Sequence, residues 1–307
     1  MRVRRFEKAN LPQLAELANV HLAAVVPGWT ITGGFLAEIM RRDHTEYITD
    51  PWVAERATLC AVEGHRVLAA VHLLHYGDGP ETSEHYRGTG EIAWFLSLPR
   101  RNDAASATLS AARHLMSEWG VKRDHGWYAS LPRVPLYGVP DTCPHLAAAL
   151  YAAGYRPEPG RHREALYGGR LDGVPTPGEP PIGDLEVRRT VGDYGTLFTA
   201  VLGAEELGLC EVRQDLTHGG GLPALRGWAE LWEIAVREEW RDRGIGGWLL
   251  RHAVAWLRLS GCDRIVLNVT EDDESAGAGR FYRSFGWEPF AREARPPNQE
   301  PPQSTAG

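Results

Sequence analysis

The sequence has few cysteines and few methionines, four and three respectively among 307 residues. The cysteines are far apart and form no Cys-x-x-Cys pair; they are Cys60, Cys143, Cys210 and Cys262. This spacing indicates neither a zinc site nor a disulfide framework. We therefore predict that no metal is bound and that the cysteines are small core residues or free thiols.

Long apolar runs are also missing, because no segment approaches about twenty consecutive apolar residues, the length that spans a bilayer. The N-terminal segment MRVRRFEKANLP lacks the apolar core of a signal peptide. These absences predict a cytoplasmic protein without a membrane partner. A formal net charge of −7, with no run rich in lysine or arginine, argues against nucleic acid as the main partner. A monomer and a homodimer both stay open.

Glycine and proline are abundant, and one segment is rich in both. Residues 169–183, GRLDGVPTPGEPPIG, carry almost no periodic apolar pattern, which predicts an extended linker. The chain is long enough for two domains of ordinary size. We expect a first domain at 1–168, a second at 184–293 and a disordered tail at 294–307.

The pattern of the first half starts again after this linker. The segment Leu185–Thr190 resembles Arg2–Phe6, and both halves then predict strand, helix, strand, helix and a closing aromatic strand. The first half closes with a strand near His162–Tyr167. We predict an α/β (α+β) fold of two tandem domains, each with a mixed central sheet and flanking helices.

One stretch of the second half carries the strongest chemical signal. A strand at 229–236 precedes an amphipathic helix from Ile245 to Gly261, and Arg241-x-x-Gly244-x-Gly246 lies between them. The first backbone N–H groups of a helix have no intrahelical acceptor, so this turn predicts a phosphate or pyrophosphate site. A purely structural turn is the alternative. Neither the Walker-type loop nor the dinucleotide fingerprint fits the glycine spacing.

Three motifs together resemble the GCN5-related N-acetyltransferases, the GNAT superfamily. They are Val236-x-x-x-x-Arg241-x-x-Gly244-x-Gly246, the strand Ile265–Val269, and Phe281-Tyr282-x-x-x-Gly286-Trp287. The resemblance covers 185–293 by motif and 1–168 by architecture only. Its tandem arrangement is similar to that of the mycothiol synthases, although no segment assigns their substrate to this chain.

The resemblance implies acetyl-CoA as cosubstrate and a primary amine of a small molecule as acceptor, with direct transfer in the C-terminal domain. It places the pantetheine arm along the strand and the pyrophosphate in the turn. The implied cofactor-binding residues are Ile234, Ala235, Val236, Arg241, Asp242, Arg243, Gly244, Ile245, Gly246 and Gly247. A non-catalytic acyl-CoA-binding or regulatory module is the alternative, and both the acceptor amine and the length of the acyl group stay open.

Acetyl transfer to an amine requires a group that accepts the amine proton, because an alkyl amine has a pKa of about 10.4. Glu230 and Glu233 are the candidates on the strand, and their spacing predicts opposite faces, so at most one faces the site. The resemblance favours Glu230 as the base. It also implies that Tyr282 is the general acid, since a phenol with a pKa of about 10 keeps its proton at neutral pH. Ordinary strand-edge charges and a core tyrosine are the plainer interpretations.

Substrate contacts are predicted at Asn268, on the next strand, and at Glu271 and Asp272, in an acidic loop at 271–274 that attracts a cationic amine. A strand asparagine with satisfied hydrogen bonds and a solvated loop are the alternatives. Ser275 stands where the family often has asparagine.

The first half lacks the same signals. No glycine lies between Gly90 and Gly120, and alignment of Gly154 with Gly286 puts Leu150 at the place of Tyr282. We expect a degenerate, non-catalytic copy of the domain.

Overall fold

The computed structural model describes residues 1–43, 46, 48–127, 131–156, 162–217 and 222–295, with backbone only at 124–127. The chain divides into two compact units, Met1–Arg163 with Ala291–Gly307, and Glu164–Phe290. Of the predicted tail at 294–307, residues 296–307 lie outside the described part of the chain.

The first unit is built around a five-stranded sheet with helices. Its elements are β1 (Arg2–Arg5), α1 (Leu11–Val25), α2 (Gly33–Arg41), β2 (Val53–Glu63), β3 (Arg66–Tyr76), β4 (Thr89–Ser97), α3 (Asn102–Glu118), β5 (Arg123–Trp127) and α4 (Pro144–Ala152). The strand order is β1-β2-β3-β4-β5, with β4 and β5 parallel and the other pairs antiparallel. Residues with local helix-starting preferences set the helix ends: Pro12 lies in the first turn of α1, and Thr32 caps α2 by accepting from the N–H of Phe35.

The second unit contains a larger sheet and one long helix. Its elements are β6 (Glu164–Arg170), β7 (Leu185–Val191), β8 (Thr196–Leu202), β9 (Glu205–Arg213), β10 (Trp228–Val236), α5 (Ile245–Leu259), β11 (Arg264–Thr270), α6 (Glu271–Ala276), α7 (Ala278–Arg283) and β12 (Glu288–Arg292). The strand order is β12-β6-β11-β10-β9-β8-β7. The β10–β11 pair is parallel, and the pairs from β7 to β10 are antiparallel.

Helix α5 buries the face that its sequence spacing predicts. Its buried residues are Ile245, Trp248, Leu249, Leu250, Ala253, Val254 and Leu257. They form one apolar cluster with strand residues that include Cys210, Val212 and Leu231. Burial of a leucine or valine side chain stabilises a fold by about 1.5–3 kcal/mol, so this cluster fixes α5 against the sheet.

The strand that we expected to close the first domain belongs to the second sheet. β6 covers Glu164–Arg170 and pairs antiparallel with β11 over its whole length, from Arg264↔Arg170 to Thr270↔Glu164. The boundary at 168 and the start of the linker at 169 therefore differ from the structure. Local pattern predicts that a segment is a strand, but the partner strand is decided by long-range packing, here the burial of Tyr167 in the core of the second unit.

The rest of the predicted linker is packed rather than free. Leu171 and Val174 are buried in the core of the second unit, and the side chain of Arg258 donates to both of their carbonyl oxygens. Further along, the indole N–H of Trp248 donates to the carbonyl of Gly178 at 3.1 Å. The proline- and glycine-rich segment is thus fixed against α5.

The predicted acidic loop at 271–274 is the first turn of a helix. Thr270 is the N-cap of α6, and its hydroxyl oxygen accepts from the N–H of Asp273 at 3.1 Å. Four acidic residues in the first turn of a helix also interact favourably with its dipole. The acidic run thus has a local structural cause, which corrects the expectation of a loop.

Candidate functional site

Strands β10 and β11 pair at one end and separate at the other. Their register covers only Trp228↔Arg264, Ala229↔Ile265 and Glu230↔Val266, although both strands continue beyond these residues. On its other side β10 pairs with β9 as far as Val236. The edge of β10 beyond Glu230 therefore presents backbone N–H and C=O groups toward β11 without a ladder partner in this described part of the chain.

A cavity of about 730 Å³ occupies the space between the separating strands. The strands contribute Leu231 to Val236 and Leu267 to Val269 to its lining. The turn and the start of α5 contribute Trp240, Arg241, Asp242, Gly244, Ile245, Gly246 and Gly247, and the α6–α7 region contributes Asp273, Ala276, Gly277, Ala278, Arg280, Phe281 and Tyr282. The structure thus brings most of the predicted site residues to one cavity.

The glycine turn stands at the N-terminal end of α5. Gly244 has φ of 81°, in the left-handed region, and its carbonyl accepts the first helical hydrogen bond, from Trp248 N at 3.0 Å. The N–H groups of Ile245, Gly246 and Gly247 precede this bond, so they have no intrahelical acceptor. All three residues line the cavity, which places free donors at its wall.

Packing within the chain does not require glycine at two of these positions. A Cβ added at Gly246 would lie 3.6 Å from Val236 Cγ2, and one at Gly247 would lie 3.7 Å from the Phe285 ring, both ordinary van der Waals contacts. Only Gly244 is required by its backbone conformation. The missing side chains at 246 and 247 therefore leave space in the cavity, as a close approach between the backbone and a ligand requires.

Charged residues at this end of the cavity have different surroundings. The Arg241 Nε donates to the carbonyl of Val236 at 3.1 Å, so this guanidinium is held across the end of β10. Arg280 lines the cavity from α7, and Asp242 lines it from the turn. Arg243 is not among the lining residues, and its guanidinium lies over the Trp240 ring at 4.8 Å.

The two candidate bases differ in environment. Glu230 is 8% exposed, is ion-paired with Arg213 and does not line the cavity. Burial raises the pKa of Glu230, and the charge of Arg213 opposes that rise. Glu233 is exposed and lines the cavity. The sequence-based preference for Glu230 therefore rests on a residue that lies outside the cavity wall.

A β-bulge changes the expected facing of these two carboxylates. Glu230 pairs with Arg213 and Glu233 pairs with Glu211, with a register shift between Leu231 and Glu233. Because the partners on β9 are two residues apart, Glu230 and Glu233 share a face, and the prediction of opposite faces is wrong. The extra residue is Trp232, and regular alternation along the sequence gives no sign of it.

Tyr282 is 6% exposed and lines the cavity. Its ring stacks against Trp287 at 6.2 Å and meets Phe281 edge-on at 5.2 Å. Burial raises the pKa of its phenol, and the nearby Cys210 and Asp273 add to the rise, so the hydroxyl keeps its proton at neutral pH. Within the described chain that hydroxyl has no hydrogen-bond partner, which leaves it available to a ligand.

The predicted substrate contacts are partly at the cavity. Asn268 is exposed and lines it, whereas Glu271 and Asp272 do not; the acidic residue of α6 that does is Asp273. The Ser275 hydroxyl donates to the carbonyl of Glu271 at 2.8 Å, within α6. Sequence reasoning missed Trp232, Trp240, Asp273 and Arg280, and only the acidic run gave any signal for one of them.

In the first unit, the turn that corresponds to the glycine turn lies at the start of α3 and has different side-chain contacts. At the start of α3, the Arg101 side chain binds Asp103 at 2.9 Å and approaches Glu63 at 3.5 Å. Leu150, at the position aligned with Tyr282, is buried in the core. This unit therefore has an ion-paired arginine where the second unit has a glycine turn.

Other classes of site find little support in the described residues. In that part of the chain no group of three or more His, Cys, Asp and Glu side chains is arranged to hold a metal ion. The four cysteines are buried free thiols, as their spacing predicted. Across the same residues, no helix combines the length and apolar character that crossing a membrane requires.

Comparison with known proteins assigns the second unit to a family. Residues 184–287 match the sequence model of the acetyltransferase (GNAT) family. A search of curated protein sequences finds no match.

Solved structures share the fold over nearly the whole chain. A GCN5-related N-acetyltransferase from Sphaerobacter thermophilus superposes with a TM-score of 0.60 at 16% identity, covering 95% of this chain and 93% of that one. A tandem GNAT protein from the clavulanic acid biosynthesis pathway superposes with a TM-score of 0.60 at 16% identity, and the match covers 95% of this chain and 96% of that one. A fungal multi-domain GH3 β-N-acetylglucosaminidase with a GCN5-related glucosamine N-acetyltransferase region superposes with a TM-score of 0.60 at 14% identity. The match covers 95% of this chain and 37% of that one.

The protein thus has the tandem GNAT fold, two mixed sheets with flanking helices, which confirms the expected fold class. Residues 184–287 are therefore a domain of the acetyltransferase (GNAT) family, and the rest of the chain is similar to GNAT proteins in fold.

Proposed function

We propose that the protein is an acetyl-CoA-dependent N-acetyltransferase that acts on a primary amine of a small molecule, with its active site between β10 and β11. The observation that carries this proposal is that one cavity is lined by the glycine turn, by the unpaired edge of β10 and by Tyr282. Each of these features matches one requirement of acyl transfer from a thioester.

Coenzyme A fits one end of this cavity. The free N–H groups at Ile245, Gly246 and Gly247 bind the pyrophosphate, and the dipole of α5 favours its negative charge. Arg241 adds a positive charge that its hydrogen bond to Val236 keeps in place. The edge of β10 from Ile234 to Val236 pairs with the amides of the pantetheine arm, as a further strand would.

The residues near the separation of the strands perform the transfer. Glu233, directly or through a water molecule, accepts a proton from the ammonium group, so that the neutral amine attacks the thioester carbonyl. A backbone N–H of β10 donates to the carbonyl oxygen as negative charge develops on it. The C–S bond then breaks, and the Tyr282 hydroxyl gives its proton to the departing sulfur. The attacking nitrogen loses its second proton, which replaces the one that Tyr282 has given. No covalent enzyme intermediate is required.

The placement of Glu233 supports a change in the expected base. Glu230 is engaged with Arg213 and lies outside the cavity lining, whereas Glu233 is exposed at the wall. We assign the role of base to Glu233 and a structural role to Glu230. The first unit, with Arg101 ion-paired at its turn and Leu150 in its core, is proposed to be non-catalytic.

The decisive experiment measures release of free thiol from acetyl-CoA in the presence of a panel of primary amines, with calorimetry of acetyl-CoA binding alongside. We expect saturable binding and amine-dependent thiol release. Tight binding without release across the panel favours a non-catalytic acyl-CoA-binding module. Absence of saturable binding overturns both proposals and leaves the glycine turn as a structural feature.

A further inference from the structure

Trp232 is the extra residue of the bulge in β10, and it lines the cavity. Its side chain is 44% exposed, which is a large exposed area for an aromatic side chain. A bulge re-aims a side chain relative to the alternation of its strand. Exposed aromatic surface beside a cavity indicates a contact for a ligand more than a contribution to the core.

The ring of Trp232 is supported from one side by Tyr194. The two rings stack with centroids 3.9 Å apart and an interplanar angle of 23°. Tyr194 comes from the turn between β7 and β8 and is itself 39% exposed. This stack fixes the orientation of the indole, and 44% of the Trp232 side chain stays exposed.

A buried carboxylate fixes the turn that carries Tyr194. Glu211 is 6% exposed, and its Oε1 accepts from the N–H of Tyr194 at 2.6 Å and from the N–H of Gly195 at 2.9 Å. A hydrogen bond to a charged group is worth more than a neutral one, so the turn is held firmly. The support of Trp232 is therefore a built arrangement and not a chance surface contact.

Arg213, two residues after Glu211 on β9, also lies close to Trp232. The Arg213 guanidinium lies over the Trp232 ring at 6.0 Å and is ion-paired with Glu230. Glu233, the neighbour of Trp232 in sequence, pairs with Glu211 and lines the cavity. One wall of the cavity thus combines a fixed indole with an exposed carboxylate.

We propose that Trp232 determines acceptor specificity and that the acceptor is a primary alkyl amine whose chain carries a flat aromatic ring. The ring packs against the cavity side of Trp232 while the ammonium group approaches Glu233. Tyr194 is a positioning residue, which acts by holding the indole in place. This inference rests on the proposed function, because Glu233 is there the base that accepts the proton of the same amine.

The test compares two primary amines, 2-phenylethylamine and n-hexylamine, as acceptors for acetyl-CoA. Stacking beyond simple area burial predicts a kcat/KM for phenylethylamine roughly 3- to 10-fold above that for hexylamine. In Trp232→Ala this preference is lost through a raised KM for the ring amine, with the KM for acetyl-CoA unchanged. Tyr194→Phe keeps the preference because it keeps the stacked ring, and Tyr194→Ala reduces it.

Val191→Ala is the matched control, since Val191 is 92% exposed in the same β7–β8 hairpin. It leaves the preference intact. Equal kcat/KM for the two amines in the unmodified protein, or an unchanged preference in Trp232→Ala, overturns the inference while acyl transfer itself stands.

Calorimetry of both amines with the protein saturated in CoA separates the two proposals. Tighter binding of phenylethylamine, lost in Trp232→Ala, supports the acceptor class even where no thiol is released, and then it is acetyl transfer that fails. Equal binding of the two amines, or no binding of either, overturns the acceptor class.

Discussion

Arg213 donates to the carboxylate of Glu230 across the β9–β10 pair, and this ion pair separates Glu230 from the chemistry that its position in the sequence suggests. Glu233, on the same face, has no ion-pair partner among the described residues and lines the cavity. The two carboxylates therefore allow a paired experiment.

Glu233→Gln is expected to lower kcat by about 100-fold or more, the usual contribution of a positioned base, with little change in unfolding. Glu230→Gln instead leaves Arg213 without its counter-charge. We expect it to lower the free energy of unfolding by about 2 kcal/mol, below the value for a fully buried pair because the Arg213 side chain is 35% exposed. Steady-state kinetics and urea unfolding of both variants check this; a larger loss of kcat in Glu230→Gln contradicts our assignment.

Tyr282→Phe is expected to reduce kcat by about 100-fold or more, because it removes the proton for the departing thiolate. Its affinity for acetyl-CoA and its thermal unfolding stay close to those of the unmodified protein, since the hydroxyl has no hydrogen bond within the described chain. Turnover and calorimetry measure the two effects separately.

The control for that change is Tyr151→Phe, in α4 of the first unit. It removes a phenol next to the position aligned with Tyr282, and a non-catalytic first unit predicts full turnover. Unchanged turnover in Tyr282→Phe refutes its role as acid, and lost turnover in Tyr151→Phe contradicts a non-catalytic first unit.

Gly246→Ala separates the binding role of the glycine turn from a structural one. The new Cβ has ordinary contact with Val236, and alanine is favoured over glycine in a helix by up to about 1 kcal/mol, so the protein is expected to keep or gain stability. The methyl group occupies space needed by the pyrophosphate, and we expect the Kd for acetyl-CoA to rise by roughly tenfold, equivalent to about 1.4 kcal/mol.

Gly34→Ala, in α2 with nothing within 4 Å of the added Cβ, is the matched substitution. It tests the effect of helix propensity alone on the melting temperature, with an unchanged Kd. If Gly246→Ala binds acetyl-CoA as tightly as Gly34→Ala does, the glycine turn is only structural.

Stability of the first unit is expected to fall as pH rises through the titration of Glu91. This residue is buried and accepts a 2.5 Å hydrogen bond from Tyr76, and burial raises its pKa from 4.5 to about 6. Between pH 4.5 and about pH 6 the folded state holds a proton that the unfolded state has released. The free energy of unfolding is therefore highest below about pH 4.5 and decreases as the pH rises to about 6. The whole effect is about 2 kcal/mol.

Glu91→Gln keeps an acceptor for Tyr76 and removes the titration. Urea unfolding at pH 5 and pH 8 is expected to show a smaller difference between the two pH values in this variant. Glu55→Gln, at an exposed position on β2, is the control and keeps the original difference. A pH difference that is the same in both variants contradicts the assignment to Glu91.

Short-range patterns were sufficient for the elements and for most of the cavity. The spacing of Ile245, Trp248 and Leu249 predicts α5 because a helix repeats every 3.6 residues, and the glycine turn follows from the unsatisfied N–H groups at its start. The bulge at Trp232 was not predictable in this way, because one inserted residue does not change the composition of the strand. It does change which face of the sheet every later side chain of the strand lies on. The charge of residues 271–274 alone predicts a solvated loop, whereas the N-cap at Thr270 makes them the first turn of α6.

The position of β6 between β11 and β12 limits where the chain can be cut into fragments that fold separately. The part that repeats along the sequence begins near Leu185, whereas the part that folds together begins at Glu164. A fragment cut at the repeat boundary would lack an interior strand and leave the edges of β11 and β12 unpaired, which favours aggregation. Recombination that exchanged whole repeats would therefore break the fold, and we expect any relative with a swapped second half to have retained its own copy of β6.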